Sequence, residues 1–231
     1  MRLGILETGG PPSGLDATFG DYPAMFRNLL GPAYDYRTFD VAAGELPDRP
    51  QACDAYVITG SPASAYEDAA WIAGLKAFLR AARGQAALVG VCFGHQVMGE
   101  AFGGKVEKSP KGWGIGLHSY QVQETRPWMD GVAQIRAPAS HQDQVVELPE
   151  GAAVIGGSDF CPYGMLAWRD QPAISIQLHP EFEPAYAKAL IESRRSRRIG
   201  EAQAVEAIAS LDGADDRALL ADWIRRFLAG R

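Results

Sequence analysis

The sequence predicts an α/β fold: a mostly parallel sheet, a small antiparallel annex and a helical C-terminal tail. Three observations carry this reading. Short β-rich runs alternate with helical patterns through the first two-thirds of the 231 residues, the order expected of βαβ units. Residues 86–91 are apolar except for one glycine, as in strands covered on both faces of a parallel sheet. The middle third then changes to short strand candidates separated by Gly, Pro and Asp turns.

Residues 3–6 read as the first strand, stopped by Gly9-Gly10-Pro11-Pro12. A helix is predicted around residues 23–29, followed by an extended run at 34–39. Residues 54–59 form a compact apolar strand ending at Gly60. Trp71, Leu75, Phe78 and Leu79 recur on one face of an amphipathic helix. Candidate strands at 117–122, 134–137, 145–148, 153–155, 165–168 and 173–177 make up the annex. From about residue 186 onward the chain reads as helical. Pro184 suits a first turn, Gly213 marks a break, and Leu219, Leu220, Trp223, Ile224, Phe227 and Leu228 form a stripe able to pack on the sheet. No linker or repeat divides the chain, so residues 1–231 are read as one domain.

Hydrophobic residues make up 47% and charged residues 22%, enough apolar side chain for a normal core and too much for disorder. The net charge of −6 gives no reason to expect nucleic acid or an anionic membrane as a partner. Four arginines within residues 194–198 are a local exception. They read as a solvated helix face, with a phosphate-bearing or acidic partner as the alternative. Three cysteines, an odd number without metal-like spacing, argue against a disulfide framework and for a reducing compartment. The opening apolar run is too short for a signal peptide, and no stretch reaches the ~18 apolar residues of a membrane span. The expected location is the cytoplasm.

The chemistry is concentrated in three segments. In Val89-Gly90-Val91-Cys92-Phe93-Gly94-His95-Gln96 an apolar strand enters a small-residue turn bearing one nucleophile, and a helical pattern follows. That is the context of a nucleophile elbow. The helix N-terminus there favours thiolate over thiol, and glycines at −2 and +2 relieve collisions in the bend. In Ser175-Ile176-Gln177-Leu178-His179-Pro180-Glu181-Phe182 a β-type run ends at a histidine, with a carboxylate two residues on. A thiolate nucleophile needs an imidazole to move its proton, and the imidazole needs a partner to fix its tautomer. The His-x-Glu spacing places both side chains on one side of an extended segment. Thr59-Gly60-Ser61-Pro62 supplies small residues whose backbone amides suit an oxyanion, with the N–H groups of Ser61 and Phe93 as candidates. A metal site using Cys92, His95, His118, His141 and His179 is the rival use; it lacks a second ligand pair, and no cofactor or metal is expected.

Together these segments resemble the class I, triad-type glutamine amidotransferases in identity, order and spacing. Ala101-Phe102-Gly103-Gly104-Lys105-Val106, Gly112-Trp113 and Ser140-His141-Gln142-Asp143 add to the match, which covers about residues 1–185. The chain looks similar to the glutaminase domain of GMP synthase, and to stand-alone relatives of which some are γ-glutamyl peptidases. The resemblance implies a flavodoxin-like open sheet with helices on both faces. It implies Cys92 as nucleophile, His179 as base and acid, Glu181 as its orienting partner, and Ser61 and Phe93 as the oxyanion hole. It further implies that Gly60, Gln96, Ser140, Gln142 and Asp143 bind the substrate.

Two positions depart from the family pattern. Ser61 stands where relatives often have glycine before the proline, and Gly114 where many have glutamate. No ATP-binding Ser-Gly-Gly-x-Asp signature follows residue 185, so ammonia, if released, is expected to pass to a separate synthetase subunit. The expected reaction is cleavage of the γ-amide of glutamine through a cysteine thioester. A γ-glutamyl peptidase or γ-glutamyl-amine hydrolase is the alternative, and a non-catalytic regulatory or binding subunit is the alternative of another class.

Overall fold

The computed structural model describes residues 1–230. The chain runs β1 (Arg2–Glu7), α1 (Asp16–Phe19), α2 (Tyr22–Leu30), β2 (Asp35–Asp40), β3 (Ala55–Ile58), α3 (Ala70–Ala82), β4 (Ala87–Val91) and α4 (Phe93–Ala101). The strands β5 (Lys105–Lys108), β6 (Gly114–Val122), β7 (Gln134–His141), β8 (Asp143–Glu147), β9 (Ala152–Gly157), β10 (Met165–Trp168) and β11 (Ala173–Ile176) follow. The helices α5 (Pro184–Arg194), α6 (Glu201–Ser210) and α7 (Arg217–Ala229) close the described chain.

Alternation along the short apolar strands decides the layering, because successive side chains leave opposite faces of a sheet. Leu3, Ile5, Ala55, Val57, Ala87, Val89 and Val91 join one core, completed by Phe26 and Leu30 of α2 and by Leu220, Trp223, Ile224 and Leu228 of α7. Their neighbours Leu6, Tyr56, Ile58 and Leu88 join a second core with Ile72, Leu75 and Leu79 of α3 and Val97 and Met98 of α4. Helices therefore cover both faces. The buried Trp223 keeps its indole N–H satisfied by donating to Asp130 Oδ2 at 3.0 Å. A third cluster holds α5 and α6 against α2 and β6 through Tyr186, Leu190, Ala207, Tyr22 and Ile115.

The nine-stranded sheet has the order β2-β1-β3-β4-β11-β10-β9-β6-β7. Its first five strands are mutually parallel, and β10, β9, β6 and β7 extend it in antiparallel fashion. The parallel half has the doubly wound order in which ligands bind outside the carboxyl ends of the strands. Among the described residues no helix is long and apolar enough to cross a membrane.

Three details differ from the sequence reading. The segment at 173–177 is not an annex strand: β11 pairs in parallel with β4 and becomes the fifth central strand. Its Ala-Ile-Ser-Ile composition is as apolar as the annex candidates, and only a long-range partner distinguishes it. The annex itself divides, because β8 leaves the main sheet and pairs with β5 in a separate two-stranded sheet. β5 has no apolar alternation to announce it, since Val106 is its one buried residue. Finally, the arginine run is not a continuous helix face. α5 ends at Arg194, and the chain turns through Ser196, whose φ is 58°.

Glu7 ends β1 half-buried beside the acidic Asp21 and Asp40. Burial and then these two charges push its carboxyl up from 4.5 to about 7, against the opposing pull of Arg27. The folded chain thus holds a proton that the unfolded chain releases, and stability falls as pH rises from 4.5 to 7. Glu7→Gln is expected to remove this slope. At pH ~8 it should raise unfolding stability by on the order of 1 kcal/mol, the charge being partly screened by solvent. Urea denaturation of both proteins at two pH values either side of the window measures it; equal slopes would refute the assignment.

Candidate active site

β4 is buried along its length and runs directly into Cys92, which opens α4 with φ 53° and ψ −103°. Such a backbone costs a non-glycine residue of order 1–3 kcal/mol and persists only where the surroundings over-determine it. They do so here. A Cβ on Gly94 would lie 2.3 Å from the Ile58 carbonyl oxygen, and one on Gly90 would lie 2.6 Å from the Gly94 oxygen. The close approach lets Gly94 N–H donate to Thr59 O at 3.1 Å, while Cys92 N–H donates to Ile176 O at 2.9 Å. The elbow is thereby tied to both neighbouring strands, with Cys92 6% exposed.

Beyond β11, His179 N–H donates to Pro138 O at 2.8 Å, anchoring the segment that carries the imidazole. His179 Nδ1 lies 2.7 Å from Glu181 Oε1, and both side chains are buried. The pair is formed across a turn closed by Phe182 N–H to His179 O at 3.3 Å, not along the extended segment that the spacing suggested. Phe182 stacks on the imidazole with ring centroids 3.9 Å apart and planes 6° from parallel. With Nδ1 engaged and the face covered, Nε2 is the nitrogen left for Cys92. Burial works against a charged imidazole, yet the electrostatic and hydrogen-bond contributions of neighbouring Cys92 and Glu181 outweigh it and raise His179 to about 10. The arrangement stabilises an imidazolium beside the Cys92 sulfur.

The loop after β3 faces the same point. A Cβ on Gly60 would sit 3.2 Å from His179 Cε1 and 3.9 Å from Cys92 Cβ, so any side chain there would crowd the pair. Ser61 does not adopt the left-handed backbone, so a serine fits where relatives often have glycine. Among the described residues neither the Ser61 nor the Phe93 N–H donates a hydrogen bond within the protein. Thr8, just past β1, was not singled out by the sequence. Its buried hydroxyl lies 3.0 Å from Thr59 O and 3.1 Å from Gly60 O, and its N–H donates to Thr59 Oγ1 at 3.0 Å. It fixes the loop; a lone threonine after a strand carries no pattern that could have revealed this.

Cys92 stands where two cavities meet. One, of about 370 Å³, is shared with Gly60, Ser61, Ser140, His179, Tyr22, Phe182 and Arg194. The other, of about 190 Å³, is shared with Ser61, Gln96, Ser140, Gln142 and Asp143. The predicted substrate-binding residues other than Gly60 thus gather in the smaller cavity. Gln96 has little freedom within it, since its Nε2 donates to Asp143 O at 2.8 Å and Gln177 Oε1 at 3.1 Å. Its carbonyl oxygen remains to face a ligand. Asp143 Oδ1 accepts from Tyr66 at 3.2 Å, and Ser140 Oγ accepts from Arg194 Nη1 at 2.7 Å.

The remaining histidines of the rival metal reading are occupied elsewhere. His95 is buried against Ser175 Oγ at 2.8 Å, and burial lowers it to about 3. His141 contacts Asp143 O at 3.2 Å and is likewise lowered by burial to about 3. Among the described residues no group of three or more His, Cys, Asp or Glu is placed to hold a metal ion. At Gly114, the second departure, a Cβ would lie 2.6 Å from the Phe160 ring and 3.1 Å from His141 Nε2, so a larger residue there needs Phe160 to move.

Comparison with known proteins agrees with this architecture. Residues 34–194 match the family model of class-I glutamine amidotransferases. A glutamine amidotransferase-like protein of Schizosaccharomyces pombe is 30% identical, with 98% of each chain covered. Gamma-glutamyl peptidase 3 of Arabidopsis thaliana is 30% identical, covering 92% of this chain and 90% of the relative. Among solved structures, a glutamine amidotransferase of Methylobacillus flagellatus superposes with a TM-score of 0.76 at 22% identity, covering 99% of this chain and 92% of that one. With the family model matched over residues 34–194 and relatives aligned along nearly its whole length, this chain belongs to the class-I glutamine amidotransferase family.

Proposed function

We propose that this protein hydrolyses γ-glutamyl amide bonds through a thioester on Cys92, and that the leaving group is a γ-linked amino acid or peptide more than ammonia. One observation carries the second half. His179, the group that would protonate the departing nitrogen, lines the 370 Å³ cavity and not the 190 Å³ one. The leaving group would therefore depart into the larger space. Ammonia is about the size of water, which occupies ~30 Å³ in the liquid, so a departing ammonia would fill only a small part of that space, whereas an amino acid or short peptide would use it. The full-length likeness to a plant γ-glutamyl peptidase supports the same reading.

In this mechanism the glutamyl end lies in the smaller cavity, toward Gln96, Ser140, Gln142 and Asp143. The Cys92 thiolate attacks the γ-carbonyl carbon, and the electron pair of the C=O bond moves onto oxygen. Backbone N–H groups of Ser61 and Phe93 receive that oxyanion, each well-placed donor being worth on the order of 3 kcal/mol. Collapse breaks the carbon–nitrogen bond as His179 gives its proton to the nitrogen. Water then attacks the thioester, His179 takes its proton, and a second tetrahedral intermediate collapses to free glutamate and the thiolate. Glu181 holds the imidazole in one tautomer throughout. A leaving group other than ammonia removes the need for the separate synthetase subunit that a glutaminase would supply.

The reading makes two measurable claims. Steady-state assays should give a kcat/KM for γ-glutamyl dipeptides at least ~10-fold above that for glutamine, with both activities lost in Cys92→Ala to the extent expected for a missing nucleophile. Glutamine turnover equal to or above that of the dipeptides would overturn the leaving-group assignment. Glu181→Gln should lower kcat by roughly 10²–10⁴-fold, the range supplied by a positioned acid–base group. The sign of its pH effect follows from the carboxylate raising His179 to about 10. Without that charge the imidazolium is lost at lower pH, so the alkaline limb of the pH–rate profile should move down. An unmoved limb would show that Glu181 does not set the imidazole.

A further inference from the structure

The four arginines at the end of α5 do not behave as one charged surface. The chain doubles back here, with Arg195 and Ile199 forming a bridge and Ser196 N–H donating to Ile199 O at 2.9 Å. The turn sorts the run by direction. Arg195 pairs outward with Glu192 at 2.7 Å and Glu201 at 3.0 Å. Arg194, Arg197 and Arg198 instead line the 370 Å³ cavity that holds Cys92 and His179. Among the described residues none of these three forms an ion pair, and no Asp or Glu lines that cavity. In a chain of net charge −6 this is a concentrated, unneutralised positive site.

The three differ in rigidity. Arg194 is held by its bond to Ser140 Oγ at 2.7 Å and lies over the Trp113 ring at 5.3 Å. Burial disfavours its charge, against the opposing pull of Tyr22, Tyr186 and Cys92, and Arg198 adds a smaller repulsion. Arg197 and Arg198 are exposed at the mouth. Like charges gathered with no carboxylate among the cavity's lining residues raise the energy of the empty site, and a carboxylate ligand relieves it. Guanidinium groups also recognise carboxylates by paired hydrogen bonds. Arg194 and Arg198 reach both cavities, whereas Arg197 lines only the one on the leaving-group side.

We infer that Arg197 and Arg198 read a carboxylate on the leaving group, so that the substrates are γ-glutamyl conjugates of amino acids or short peptides with a free C-terminal carboxylate. This rests on the γ-glutamyl hydrolase reading above and narrows its substrate class. Arg194, fixed by Ser140 and Trp113, is the wall between the glutamyl and leaving-group sides.

The test compares substrates that differ only in that charge: γ-glutamylglycine against γ-glutamylglycinamide, and γ-glutamyl-alanyl-glycine against its C-terminal amide. At low ionic strength the acid should be preferred in kcat/KM by at least about tenfold in one pair. The double variant R197Q/R198Q should bring that preference to within about twofold, while R49Q, which removes a charge from an exposed arginine elsewhere, should keep it. Equal rates for acid and amide in both pairs would overturn the inference and leave the γ-glutamyl reaction standing. So would a double variant that slows acid and amide equally, since the arginines would then serve the glutamyl end or the fold. No turnover of any of the four compounds would instead overturn the reaction itself, and the inference with it. Thermal melts of the variants separate these outcomes from loss of fold.

Discussion

The site depends on the close approach of the backbone after Cys92 to the backbone at the end of β3. Only 2.3 Å would separate a Cβ on Gly94 from the Ile58 oxygen, so the helix begins in contact with the neighbouring strand. Cys92, at the turn before this contact, holds a left-handed backbone at the carboxyl end of β4, where α4 begins. The contact also brings Gly94 N–H onto Thr59 O, which fixes the loop carrying Gly60 and Ser61. One steric constraint thus sets the backbone on which the proposed nucleophile and the two proposed backbone donors stand, without using any side chain of its own.

The imidazole reaches the same point by a different route. β11 enters the sheet beside β4 from far along the sequence, and its extension delivers His179 next to the elbow. The register is held by backbone pairing, the ring plane by Phe182, and the tautomer by Glu181. These restraints are independent, so the imidazole has little freedom even though it sits on an irregular segment. Such rigidity suits the proposed role, in which the group first gives and then takes a proton at nearly the same place.

How much of this the sequence displays depends on whether the cause is local. The elbow is legible because strand, glycine pair and helix are contiguous, and the collisions that the glycines avoid are local too. His179 and Glu181 are legible as a pair two residues apart, although the turn that joins them is not. The place of β11 in the parallel half is invisible, since its four residues resemble those of the annex strands and differ only in their partner. Thr8 is invisible for the same reason: its hydroxyl matters because β1 and β3 are neighbours. The arginine run was misread because a charged helix face and a charged turn have the same composition. The left-handed residue that makes the turn is a serine, and nothing in its identity marks it.

The position of the arginines bears on how a shared fold acquires different substrates. Cys92, the oxyanion loop and the His179–Glu181 pair all stand at the ends of parallel strands, where movement would disrupt the sheet. Arg197 and Arg198 lie beyond α5, where a change in the turn alters the cavity mouth and leaves the sheet untouched. The matched family region ends at residue 194, at the last residue of α5 and just before that turn. On the reading proposed above, chemistry and selectivity are carried by separate parts of the chain. The strained, buried part would set which bond breaks, and the exposed turn after it would decide which molecule presents that bond.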